Sequence, residues 1–82
     1  MKLTYDPRYN IAYLRLQEKT SQVETVRVSE SLNVDLAPDG TVYGIELLNA
    51  NEQLRGKEKR KLIVENVATG TSAEVELAKE KS

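Results

Sequence analysis

Leu32-Asn33-Val34-Asp35-Leu36-Ala37-Pro38-Asp39-Gly40-Thr41-Val42-Tyr43-Gly44-Ile45-Glu46-Leu47-Leu48 decides the fold class. Leu32, Val34 and Leu36 alternate with Asn33 and Asp35, the period-two pattern of a strand with one apolar face. Tyr43, Ile45 and Leu47 share a face in the return strand by the same rule. Between them Pro38 presets φ at the first turn corner, and Gly40 supplies the positive φ that a short hairpin loop needs. Gly44, inside a strand, marks a bulge or a close approach of another group to the backbone. The stretch is a β-hairpin.

Outward from it the chain keeps the same character. Lys2 to Tyr5 alternates and is broken by Asp6-Pro7. Ile11 to Leu16 follows, rich in β-formers, with Ala12, Leu14 and Leu16 on one face. These two runs predict a first hairpin, with Tyr5 and Tyr13 paired across it. Val23 to Val28 predicts a third strand with edge character. Beyond the central hairpin, Asn51 is a candidate N-cap, Glu52 a first-turn acid and Gly56 a candidate C′ residue, framing at most one helical turn near 51–55. Leu62 to Val67 and Ala73 to Leu77 flank Ala68-Thr69-Gly70-Thr71-Ser72 and predict a C-terminal hairpin. The expected fold is mainly β. It consists of an antiparallel meander of about five strands over 2–48, a connector over 49–61, a hairpin over 62–77 and a frayed tail over 78–82, all in one domain.

Composition bounds the function. The 10 Leu, 8 Val and 3 Ile form about a quarter of the 82 residues, enough for a folded domain. Phe and Trp are absent, so the core must be aliphatic, with four tyrosines as the large rings. The net charge of −1 provides no field to recruit a polyanion. Without Cys or His, thiolate catalysis, disulfides and the usual base for a hydroxyl nucleophile are excluded. No apolar run is long enough to span a bilayer and the N-terminus lacks a signal-peptide core, so a cytoplasmic address is expected, with no membrane partner and no cofactor.

Tyr5-Asp6-Pro7, Ala12-Tyr13-Leu14-Arg15-Leu16, Asn33-Val34-Asp35-Leu36, Asp39-Gly40 and Gly44-Ile45-Glu46-Leu47-Leu48 occur in that order. Together they resemble domain-of-unknown-function family 2283, small and mostly prokaryotic proteins, over residues 2 to 50. The resemblance implies a compact antiparallel β fold and no established chemistry. Its members are similar in size to small regulatory, antitoxin-like partners. Arg8-Tyr9-Asn10-Ile11 departs from the small and acidic residues typical of the family there.

Three readings follow. An antiparallel sheet buries one face, and this chain has no amphipathic helix to lay on it. Cover must come from the C-terminal hairpin, from curling of the sheet, or from a second copy. The first reading is therefore a non-enzymatic protein-interaction module, a homodimer or the binder of another protein, with Tyr43, Ile45 and Leu47 on the interaction surface. The second is antitoxin-like contact with nucleic acid through Arg55, Lys57, Lys59, Arg60 and Lys61, a basic run without interleaved aromatics. The third is a metal-dependent hydrolase using Asp6, Asp35 and Glu46, set against the ordinary roles of acids in turns and on open sheet faces.

Overall fold

In a computed structural model, residues 1–18, 22–54 and 61–77 are described. Among these residues seven strands, β1 (Lys2–Asp6), β2 (Ile11–Arg15), β3 (Glu24–Ser29), β4 (Leu32–Leu36), β5 (Val42–Leu48), β6 (Lys61–Asn66) and β7 (Thr71–Glu76), accompany one helical turn, α1 (Ala50–Gln53). The first five form one antiparallel sheet, and β6 and β7 form a separate hairpin. Both were expected from the alternation.

The order within the sheet is β1-β2-β5-β4-β3, not the sequential order of a simple meander. Three hairpin-connected strands, β3 to β5, bring β5 back beside β2, which is a Greek-key arrangement. Local alternation defines each strand but contains nothing about which distant strand it joins.

The central turn is built as its residues require. Gly40 has φ +88°, and its N–H donates to the Ala37 carbonyl at 2.9 Å. The Asp39 carboxylate accepts from the Thr41 N–H at 3.0 Å and the Thr41 hydroxyl at 2.6 Å, closing the loop from inside.

Between β1 and β2, Asp6 accepts the Arg8 N–H at 2.9 Å, and Asn10 takes a left-handed conformation with φ +61°. This turn fixes the register. Tyr5 opposes Ala12 and Tyr13 opposes Thr4, so the expected Tyr5–Tyr13 pair does not form and the two rings lie on opposite faces. Alternation is blind to such a shift because a one-residue slip exchanges the faces.

The helical turn is offset from its expected place. Its N-cap is Asn49, left-handed at φ +55° and without a side-chain capping bond, while Asn51 lies inside the turn. Asn51 is instead a tie to the first hairpin. Its N–H donates to Asn10 Oδ1 at 2.6 Å, its Nδ2 to the Pro7 carbonyl at 3.1 Å, and its Oδ1 accepts the Tyr5 hydroxyl at 2.5 Å. Ala50 is fully enclosed beneath this tie. Gly56, the expected C′ residue, lies outside the described residues.

The register builds rows of side chains across all five strands. Leu3, Leu14, Ile45, Val34 and Val26 form one row on one face, and Tyr5, Ala12, Leu47 and Leu32 form the next. The opposite face carries Lys2, Arg15, Gly44, Asp35 and Thr25, then Thr4, Tyr13, Glu46, Asn33 and Arg27. One face is apolar and the other polar, yet the core is slight. Among the described residues the buried apolar ones are Ala12, Ala37 and Ala50, and no large side chain is fully enclosed.

Candidate functional site

The polar face is completed by a close approach over Gly44. Tyr13 lies across this glycine, so that a Cβ there would come within 2.5 Å of the ring Cζ and 2.8 Å of Cε2. The tyrosine can therefore reach one strand further, and its hydroxyl donates to Asp35 Oδ2 at 2.7 Å. Thr25 donates to the other carboxylate oxygen at 2.6 Å, and Asn33 Nδ2 donates to Glu46 Oε1 at 2.9 Å. Burial first, and then the Asp35 carboxylate beside it, raise the Tyr13 hydroxyl above its ordinary value. The phenol stays neutral and acts as a donor. Arg15 Nε and Asn33 Oδ1 are shielded from solvent without a hydrogen-bond partner.

Both features anticipated for Gly44 are present. The register shifts between Asp35, opposite Gly44, and Leu36, opposite Val42. Tyr43 is the extra residue of this bulge. It is thereby lifted out of the alternation that was expected to align it with Ile45 and Leu47.

The apolar face is built differently. Leu3, Ala12, Leu14, Ile45 and Leu47 form the floor of a cavity of about 560 Å³. Leu54, just beyond α1, and Leu62 and Val64 of β6 stand at its margin. In the β6–β7 hairpin Leu62 pairs with Val75 and Val64 with Ala73, giving a small apolar face of its own. That hairpin does not close the space: Val64 and Val75 remain 57% and 52% exposed. The apolar row continues past the cavity onto β3, where Val26 is exposed. Of the three residues anticipated on an interaction surface, Ile45 and Leu47 line the cavity and Tyr43 does not.

The carboxylates anticipated for metal chemistry each have a hydrogen-bond partner within the chain. Asp6 is held by Arg8 through Nε–Oδ1 and Nη2–Oδ2 contacts of 3.1 and 3.0 Å. The Arg8 guanidinium hydrogen bond lowers the Asp6 carboxyl below its ordinary value. Asp35 is taken by Tyr13 and Thr25, and Glu46 by Asn33. Among the described residues no three potential ligands gather around one point. The geometry gives no support to the metal-hydrolase reading.

Of the basic run, Arg55, Lys57, Lys59 and Arg60 lie outside the described residues. Lys61 opens β6, with its Nζ 3.9 Å from Glu74 Oε2.

Two features escaped the residue pattern. One is the Thr25–Asp35–Tyr13 chain, whose only local signal was a glycine inside a strand. The other is the Asn10–Asn51 tie, which no spacing announced because it joins a turn to a segment some forty residues away.

Fold and site together define a small antiparallel Greek-key β protein with a hydrogen-bonded polar face and an open apolar one. The chain belongs to the family described as protein of unknown function (DUF2283), whose model matches residues 2–51. The match ends at Asn51, so it covers the five-stranded sheet with its tie and excludes β6 and β7. No curated protein and no solved structure matches the chain. No helix among the described residues is long and apolar enough to cross a membrane.

Proposed function

We propose that this protein is a non-enzymatic interaction module whose contact surface is the apolar face of its five-stranded sheet. The observation that supports this is the cavity of about 560 Å³ floored by sheet side chains, with no large side chain fully enclosed among the described residues. Protein interiors are close-packed, with few voids larger than a water molecule. An apolar surface left this open gains free energy when a protein surface is placed on it, about 25 cal/mol per Å² of apolar area removed from water. On the polar face the carboxylates of Asp35 and Glu46 accept hydrogen bonds from Tyr13, Thr25 and Asn33 of the same sheet.

The test is a stoichiometric pull-down from native extract, repeated with Leu47→Asp after circular dichroism has shown its β structure intact. The reading predicts a bound protein, a foreign chain or a second copy, that is lost with Leu47→Asp. Retention of every partner by the variant would place the contact elsewhere.

A further inference from the structure

The β6–β7 hairpin has two unlike faces. Its register puts Leu62 opposite Val75 and Val64 opposite Ala73 on one of them. The other carries Lys61 with Glu76, Ile63 with Glu74 and Glu65 with Ser72. A two-stranded hairpin is marginally stable in water until its apolar face finds a second layer. The sheet has the complementary need, and the two meet at one cavity. Leu62 and Val64 already line it together with Leu3, Leu14, Ile45 and Leu47. Only β6 reaches it. Val75, on the same face of the hairpin, does not line the cavity and is half-exposed.

Connectivity favours this cover over any separate molecule. Leu54 and Leu62 both border the cavity and are eight positions apart, which is at most about 28 Å of fully extended chain. A segment tied so closely acts on its target at an effective concentration in the millimolar range, which a free protein must exceed to displace it. The family match stops at Asn51, so the sheet is the shared unit and the hairpin is appended beside its apolar face.

We propose that the β6–β7 hairpin is an autoinhibitory lid on the apolar face. It closes by tipping β7 toward the sheet, so that Val64 and Val75 are laid against the floor formed by Leu14, Ile45 and Leu47. A protein partner then docks only when the lid lifts, and its apparent affinity falls by the fraction of molecules that are closed. The proposal rests on the interaction reading above and adds its regulation.

Titration with the dye 1-anilinonaphthalene-8-sulfonate, which binds exposed apolar surface, tests this on the full chain and on Val64→Thr/Val75→Thr. Threonine keeps the β-forming shape, but its hydroxyl must lose water to enter the cavity. Both valines are more than half exposed, so the sheet itself is undisturbed. The double variant is expected to bind dye at least about tenfold more tightly than wild type, as its open fraction rises toward one. Adding Ile45→Asp should abolish that gain. If Ile45→Asp fails to fold by circular dichroism, Leu3→Asp on the edge strand of the same floor takes its place. A gain indifferent to the aspartate overturns the lid, because the dye then sits on the hairpin. Equal binding by both proteins, lost with the aspartate, also overturns it and leaves the face permanently open, so the interaction reading stands. Dye bound by neither protein overturns the lid as well, and sedimentation velocity then separates two cases. In a dimer a second copy holds the face and the interaction reading stands; in a monomer no face is accessible and both readings fail.

Discussion

The two faces of the five-stranded sheet are built from the same strands and are finished to different degrees. On the polar face, Tyr13, Asp35 and Thr25 form a hydrogen-bonded chain across three strands, with Asn33 and Glu46 paired in the adjoining row. On the apolar face, Leu14, Ile45 and Leu47 border space instead of neighbours. A hydrogen bond needs one correctly placed partner, whereas an apolar row needs a second layer along its whole length. A five-stranded sheet can supply the first requirement internally and not the second. Function is more economically sought on the face left incomplete.

The comparison can be broken in several ways. The largest effect is expected from Gly44→Ala, which drives a methyl group into the Tyr13 ring and should cost about 2–3 kcal/mol by overpacking. Urea unfolding measures it, and the cost should shrink in a Tyr13→Ala background, where the ring is gone.

Next comes Leu14→Ala on the apolar face. Bordering an existing cavity, this side chain should cost about 1–2 kcal/mol in dilute solution, less than the usual loss for a buried leucine. The penalty should grow with protein concentration if the face is covered by association, whereas the cost of Gly44→Ala should not. Melting temperatures at 2 and 200 μM would separate the two behaviours.

Tyr13→Phe is a smaller perturbation of the polar face. It removes the donor to Asp35 Oδ2, a part-buried bond, and should cost about 1 kcal/mol. The same pair gives a pH signature. The Tyr13 hydroxyl is raised above its ordinary value of 10.0 in the fold, so its contribution is fully present below pH 10 and is lost as pH rises toward the folded value. Wild type should therefore lose more stability than Tyr13→Phe above pH 10.

The smallest effect concerns the turns. Hydrogen bonds from the Thr41 hydroxyl and backbone lower the Asp39 carboxyl below its ordinary 3.8, so its contribution is present above that value and disappears as pH falls through the folded one. Asp39→Asn should lose less stability than wild type on acidification below pH 4, by an amount visible only as a slight change in midpoint.

How much of this could be read from the residues depended on distance along the chain. Pro38, Asp39 and Gly40 specify their turn among themselves, so that hairpin was legible. Gly44 announced a close approach, and the bulge beside it was anticipated in kind. The ring that fills the space was not, because Tyr13 reaches it only through the β2–β5 pairing, and no local pattern encodes that pairing. The Tyr5–Tyr13 pair was misread for a related reason: a left-handed Asn10 sets the register, and alternation tolerates either phase. Tyr43 was displaced from the apolar row by a single extra residue. The need for a cover over Ile45 and Leu47, in contrast, was visible from the alternation of the strands and the lack of an amphipathic helix, and survives in the structure as a cavity.

The Greek-key order also has a kinetic consequence. β1–β2 and β3–β4–β5 are two locally connected units whose strands pair with each other along the seam where Leu14 opposes Ile45. Pairs so far apart in sequence close late, after the loop entropy between them has been lost. The seam is then the slow step. Substitutions at Leu14 or Ile45 should slow folding, while those at the β3 edge, such as Val26, should chiefly speed unfolding.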